Sequence, residues 1–236
     1  TVMSNDEHTC RWHRSEYGPK FILHAHLASN DQSAADAVTR LFGIIRNCKH
    51  ESYLLEHHSI DVGNLCDRFA RHLGLTAAEV ETVATAGLLH DLGKVFTNLD
   101  VLTGTGELTD EMTAEMKRHP ADGAALIVHP ELSAVSEIFM LHHERPSGAG
   151  YPNAIPGHEI APLARVISVV DWYAACRERR TYRQELSHEP AMELTYIAAD
   201  EGKLDPLLTV LLDRFLGRES WRPSSADPER VVHAAP

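Results

Sequence analysis

Aromatic side chains are scarce in this chain of 236 residues: Phe, Tyr and Trp together make up 6%. A core must therefore rest on Leu, Ile, Val and Ala. Cysteine is scarce too. Cys10, Cys48, Cys66 and Cys176 form no C-x-x-C pair and keep no regular spacing. That pattern argues against a disulfide framework and against a thiolate zinc site, and reads as reduced cytosolic thiols. No apolar run approaches the ~20 residues that span a bilayer, and no basic-then-apolar stretch of a signal peptide opens the chain. Positive charge is in deficit, with 22 Lys and Arg against 34 Asp and Glu and a formal net charge of −12. DNA and RNA are poor partners for such a surface. A small phosphorylated substrate stays open, because bound metal ions invert the local charge. The chain starts at Thr1 rather than Met and is read as a piece of a longer one.

What is abundant is histidine, with 16 in the chain. Imidazole is the commonest metal ligand, so the question is which histidines converge. The apolar periodicity predicts helices and almost nothing else. Helices are expected over 34–47, 51–73 (stopped by Gly74), 76–90 (opened by the capping box Thr76 to Glu79), 109–119, 121–128, 132–142, 163–177, 190–199 and 205–216. Residues 99–106 and 145–162 read as loops, and 21–27 is the one stretch with a strand-like pattern. The expected fold is all-α: one helical domain over 31–217, an N-terminal appendage over 1–30 and a C-terminal tail over 218–236. Met112 and Met116, four apart, read as core packing.

Polar residues recur at the ends of these apolar helices. His90-Asp91 follow Gly87-Leu88-Leu89, and Lys94 comes one turn later. His119 ends its helix, and His142-His143 end theirs. Asp171 sits in the otherwise apolar run 166–171, and His58 lies on the apolar helix before it. A carboxylate buried at Asp171 needs a partner, either metal or a cation such as Arg165. Five imidazoles and two carboxylates suit two divalent ions of the Fe, Mn, Ni or Zn type. Such a pair, ~3.5–4 Å apart, activates water for in-line attack on phosphorus.

At this point the sequence resembles the HD-GYP phosphodiesterases of the HD hydrolase superfamily. The resemblance runs over 54–215. It is carried by His90-Asp91-Leu92-Gly93-Lys94, His119 with Gly123, His142-His143-Glu144-Arg145, Gly148, Gly150-Tyr151-Pro152, Gly157, Ile160, Ala164-Arg165-Val166, Val170-Asp171 and Tyr173. It implies an HD-domain helical bundle with the metal site in its core. His58, His90, Asp91 and Asp171 would ligate one metal, with Asp91 bridging to a second held by His119, His142 and His143. Lys94 would steady the attacking oxygen and the phosphate. Gly150, Tyr151 and Pro152 would shape the substrate pocket, and Arg180 and Arg183 would grip phosphates. The implied cofactors are two divalent ions, Fe or Mn first, with Ni, Zn or Mg as alternatives. The implied substrate is cyclic di-GMP, hydrolysed in the cytoplasm to the linear dinucleotide, with a second step to GMP left open. An input domain, a diguanylate cyclase-type signalling partner or a second copy of the chain would be its protein partners.

Some positions depart from the family pattern. Ser147 and Ala149 stand where Asp and Ser are usual, Asp61 replaces an Arg, and Ala174 replaces an Asp. Leu54 stands where three-metal members carry Glu, which favours two metals, with Glu51 as a weak third-site candidate. These departures keep two rival readings alive: another cyclic dinucleotide or nucleotide as substrate, and a catalytically silent module that binds metal or dinucleotide. Blander readings also apply. His57 must face away from His58, residues 177–183 read as a solvated charged face, and His8, Cys10, His13, His24 and His26 read as part of a tail.

Overall fold

Ala37, Leu41 and Ile45 recur at four-residue spacing along α1 (Ala34–Asn47), and all three are buried. That spacing puts them on one face. The face packs on α2 (Ser52–His72), which buries Val62, Leu65 and Phe69 in turn. This computed structural model describes residues 33–47, 52–98, 101–102, 107–178 and 185–217, of which 47 and 52–54 as backbone only. The expected strand at 21–27, the appendage, the C-terminal tail, Cys10, Cys48 and Glu51 lie outside the described residues.

A left-handed glycine ends α2. Gly74 has φ +76°, where a side chain would be strained,. Its N–H reaches the Arg71 carbonyl, and the Leu75 N–H reaches that of Ala70. These two bonds satisfy carbonyls that the helix leaves open. The expected capping box then opens α3 (Ala77–Leu89). Thr76 Oγ1 accepts from the Glu79 N–H, and a Glu79 carboxylate oxygen accepts from the Thr76 N–H at 2.8 Å. The chain turns through a 3-10 helix at Leu92–Phe96 and continues into α4 (Asp110–Met116) and α5 (His119–Ala124). A short 3-10 helix, Pro130–Leu132, leads into α6 (Ser133–Met140), and another, Gly157–Glu159, into α7 (Pro162–Arg177). Two further helices, α8 (His188–Asp200) and α9 (Pro206–Leu216), close the order. Among the described residues there is no strand, as the all-α expectation required.

Helix α7 is the axis of the core. It packs against α2, α3, α8 and α9 and buries residues on nearly every side, among them Ile167, Val169, Val170 and Tyr173. A helix apolar all round belongs inside. Leu89, Leu92, Phe139 and Leu212 join the same cluster, and each such side chain contributes ~1.5–3 kcal/mol by leaving water. Aliphatic side chains dominate it, as the scarcity of aromatics required. Cys66 and Cys176 are buried thiols. Among the described residues no helix is long and apolar enough to cross a membrane.

Four boundaries differ from those expected. His119 does not end a helix; it opens α5, after α4 has stopped at Met116. Pro120 explains this, since its missing N–H costs nothing in a first turn and would break a helix interior. Helix α5 stops at Ala124 rather than near Val128, where tighter turns take over: the Leu126 N–H bonds the Gly123 carbonyl and that of Ile127 the Ala124 carbonyl. Helix α6 ends at Met140, so His142 and His143 lie just past it. Of the loop expected at 99–106, only residues 101 and 102 are described, and they are helical, with both N–H groups on the Asn98 carbonyl. Met112 and Met116 are half-buried and outside the core cluster, because α4 is a two-turn surface helix that buries none of its residues.

Candidate metal centre

Three helices end at one place, and each brings a histidine with it. A helix leaves its last carbonyls without intrahelical partners. His90 Nδ1 lies 2.7 Å from the Gly87 carbonyl at the end of α3. His119 Nδ1 lies 2.8 Å from that of Met116 at the end of α4, and His142 Nδ1 2.5 Å from that of Phe139 at the end of α6. A carbonyl only accepts, so Nδ1 carries the hydrogen in all three. In the neutral imidazole Nε2 then keeps its lone pair and aims it inward, as a metal ligand needs. His142 is held further by Ser168, whose hydroxyl donates to the His142 carbonyl at 2.6 Å.

His58 is different, because it lies inside α2, where the carbonyls are already in use. Its Nδ1 meets Glu178 Oε1 at 2.5 Å, and its Nε2 meets Asp171 Oδ1 at 2.9 Å. The Nε2 atom of His90 lies 3.5 Å from that same Asp171 oxygen. His58, His90 and Asp171 thus form one cluster with ligand atoms all within 4.8 Å of one another, and His119, His142 and His143 form a second on the same measure. Asp91 stands between them. Its Oδ2 is 3.3 Å from His90 Nε2, and its Oδ1 is 3.5 Å from His119 Nε2. All seven residues expected at the site are brought together.

Two buried atoms here lack a hydrogen-bond partner: His90 Nε2 and Asp91 Oδ1. Leaving them unsatisfied costs roughly 1–3 kcal/mol each. Divalent ions of the kind bound by imidazole and carboxylate would satisfy both, so the donor set fits two such ions. The alternative partner for Asp171 is otherwise engaged, since Arg165 bonds Asp205 at 3.1 Å and the carbonyls of Gly157 and Ile160.

The two clusters differ in charge. Burial opposes a proton on His58, but the carboxylates of Glu178 and Asp171 outweigh it and push the imidazole up to about 10. His90 is likewise raised, against burial, to about 9 by Asp91 and Asp171. Protons here stand where a cation would. In the other cluster burial wins. It holds His119 down to about 3 and His142 to about 4, and His143 well below the usual range. Burial also penalises the charged Asp91 and Asp171, yet both stay far below the ordinary carboxylate range, Asp91 through His90 and Lys94 and Asp171 through His58 and His90.

At the rim, Lys94 Nζ donates to Asp91 Oδ2 at 2.6 Å. Tyr151 stacks on the His143 ring with centroids 4.6 Å apart, and its N–H donates to the His143 carbonyl. The loop is folded back on its own start: a Cβ on Gly150 would lie 2.5 Å from the Glu144 Cα. The buried Glu144 carboxylate fixes the far side. It accepts from the N–H groups of Asn153, Ala154 and Ile155 at 2.7, 3.1 and 3.2 Å. Pro152 is exposed on this loop.

A family model described as "HD domain" matches residues 25–208. This chain belongs to the HD domain family. Three relatives of this HD-domain chain are phosphodiesterases by name. A "Cyclic di-GMP phosphodiesterase response regulator" of Xanthomonas campestris is 36% identical over 58% of this chain and 37% of its own length. A "Cyclic di-GMP phosphodiesterase" of Pseudomonas aeruginosa is 35% identical over 63% of this chain and 36% of its own. A "3'3'-cGAMP-specific phosphodiesterase" of Vibrio cholerae is 32% identical over 63% and 35%. The chain spans about a third of the length of these curated relatives. Two solved structures share the fold. An HDG"Y"P protein from Bdellovibrio bacteriovorus has TM-score 0.56 and 22% identity, covering 84% of this chain and 62% of that one. The HD domain of an L. monocytogenes phosphodiesterase, solved with cyclic-di-AMP, has TM-score 0.57 and 15% identity, covering 78% and 98%.

Two residues of this HD-domain site escaped the sequence reading. Glu178 was assigned to a solvated charged face, and Arg177 with it; instead Glu178 backs His58, and Arg177 is buried beside Tyr173. The available signal was spacing, because Glu178, at the C-terminal cap of α7, follows Asp171 by seven residues, about two turns, and so stands near the same side,. Glu144 was read only as part of a motif, with nothing in the sequence to show what its carboxylate would hold. Arg180 and Arg183 lie outside the described residues.

Proposed function

We propose that this chain is the catalytic portion of a metal-dependent phosphodiesterase that hydrolyses cyclic di-GMP to the linear dinucleotide. The observation that carries it is Asp91 between two triplets, one oxygen toward each. In this reading His58, His90, Asp171 and Asp91 hold one divalent ion, and Asp91, His119, His142 and His143 hold the other. Fe and Mn are the ions assigned, with Ni, Zn and Mg as comparators. What such ions supply when bound is Lewis acidity, which makes a water nucleophilic near neutral pH and polarises phosphoryl oxygens.

The chain's own groups do the rest. Lys94, mostly buried at the mouth, places a positive charge where charge develops on the phosphoryl oxygens,. Burial keeps the Tyr151 phenol un-ionised, so its ring, braced on His143, offers a flat neutral wall to a base. Gly150 and Pro152 set the course of that wall, and Arg180 and Arg183 are assigned to the remaining phosphate. The names of the Xanthomonas and Pseudomonas relatives support cyclic di-GMP. The name of the Vibrio relative makes the hybrid dinucleotide 3'3'-cGAMP the comparison to run beside it. The cytoplasm is the assigned compartment. An input domain, a diguanylate cyclase-type partner or a second copy of the chain are the assigned protein contacts.

The test is metal content by elemental analysis together with hydrolysis of both dinucleotides after anaerobic loading with Fe(II) or Mn(II). Asp91→Ala serves as the control. About two ions per chain and faster turnover of cyclic di-GMP are expected, with both lost in the control. Faster turnover of 3'3'-cGAMP moves the substrate, and metal without turnover of either leaves the silent module. Little metal after loading means the ligands are misplaced.

A further inference from the structure

Two carboxylates, Asp171 on α7 and Glu178 at its C-terminal cap, straddle a single imidazole. Asp171 and Glu178 are seven residues apart, two helical turns, and both meet His58 on the crossing helix α2. Asp171 Oδ1 is 2.9 Å from Nε2, and Glu178 Oε1 is 2.5 Å from Nδ1. Nε2 is the atom that faces the centre, 2.9 Å from Asp171 Oδ1 and 3.9 Å from Asp91 Oδ2. Nδ1 points away from it, so Glu178 can stay on His58 whatever occupies the centre.

The other remote nitrogens have weaker partners. His90, His119 and His142 each give Nδ1–H to a neutral backbone carbonyl. His58 alone among these four gives it to a carboxylate. An ionised acceptor makes a hydrogen bond about twice as strong as a neutral one, and a carboxylate behind a ligating imidazole raises its basicity. Glu178 also adds a negative charge to a pocket that already holds Asp171 and shares Asp91. Among the described residues, the pocket of His119, His142 and His143 has Asp91 alone.

We infer that Glu178 is a positioning residue that fixes the donor nitrogen of His58 and makes its pocket the tighter of the two metal positions. The inference rests on the two-ion reading above. It predicts sequential filling, the His58 pocket first.

The test is titration of the full chain, stripped of metal, with Co(II), following visible absorption of the bound ion and total uptake. The parent should bind two ions in two resolved steps. His58→Ala, folded by circular dichroism, identifies the His58 pocket by the step it abolishes. In E178A that same step should weaken ~10–100-fold, the usual cost of losing such a partner, with the other step unchanged. E178Q is isosteric and keeps an acceptor oxygen, so it should fold as the parent does and fall between the two. Unchanged constants in both Glu178 variants, or a loss confined to the other step, overturns the inference while leaving two ions in place. A parent that binds fewer than two ions overturns the two-ion reading, and the inference falls with it.

Discussion

The carbonyl oxygen of His119 passes so close to Gly93 that a Cβ on that glycine would stand 1.9 Å from it. The Gly123 N–H would be 2.7 Å away, so backbone blocks the position on two sides. Gly93 lies in the 3-10 helix after Asp91, and His119 opens α5, so this contact sets the spacing of the two candidate metal pockets. Backbone cannot rotate aside as a flexible side chain can. Gly93→Ala should therefore cost ~2–3 kcal/mol, at the upper part of the overpacking range. That corresponds to about 2–4 °C of Tm per kcal/mol in a domain of this size. Thermal melting with metal analysis checks it: a lower Tm and a weakened second ion are expected. A Tm within a degree of the parent would show that the segments separate freely.

Among the described residues, Lys94 is the one ammonium that touches the carboxylates at the mouth of the centre, 2.6 Å from Asp91 Oδ2. It is not placed as a ligand, so removing it separates metal binding from chemistry. Lys94→Met should retain the ions and lower kcat by ~10²–10³, the loss typical of one preorganised charge-stabilising donor. Parallel elemental analysis and steady-state kinetics read this. Loss of metal in step with activity would reassign Lys94 to holding Asp91.

The candidate ligands were legible because they obey a local rule. His90 and His142 stand three residues past the carbonyls they bond, at helix ends that a sequence marks with capping and breaking residues. His119 obeys the same rule from the other side of a break, so its place beside the others was readable although its helix was not. Glu178 was illegible for a different reason. Residues 177–183 carry charges in a run, and a run looks solvated until a crossing helix covers it. That α2 crosses α7 at His58 is a tertiary fact with no local trace. Met112 and Met116 failed likewise, since a four-residue apolar spacing marks a face without saying what covers it. The all-α class itself followed directly from periodicity, and the α2–α3 junction at Gly74 to Glu79 could be read residue by residue.

Glu144 ties the Tyr151 loop to the centre by taking three backbone N–H groups at 2.7–3.2 Å while itself 2% exposed. Truncation to Ala orphans all three, at roughly 1–3 kcal/mol for each group that water does not reach. Glu144→Ala should lower stability by about 3 kcal/mol and speed amide exchange at 153–155, with a rise in KM as the Tyr151 wall loosens. Glu144→Gln keeps one acceptor oxygen and should lose less. Exchange at 153–155 no faster than in the parent would mean the loop holds itself.

Stability of the metal-free chain should peak near pH 6.5 and fall on both sides, for opposite reasons in the two clusters. His58 and His90 are raised to about 10 and about 9, so folding favours their protonated forms. Their contribution is fully present below the unfolded pKa of ~6.5 and disappears as pH rises through 9 to 10. His119 and His142 are lowered to about 3 and about 4, so folding favours their neutral forms. Their contribution is present above ~6.5 and is lost as pH falls toward 4, because only the unfolded chain takes up the protons. Each group adds a slope of up to about 1.4 kcal/mol per pH unit. Bound ions replace the protons on His58 and His90, so loading should flatten the alkaline limb and release protons at pH 7. Urea unfolding from pH 5 to 9, with and without chelator, measures both limbs. A metal-free stability that stays level from pH 7 to 9 would mean that His58 and His90 hold no extra protons, and that the charge difference between the clusters is not as described.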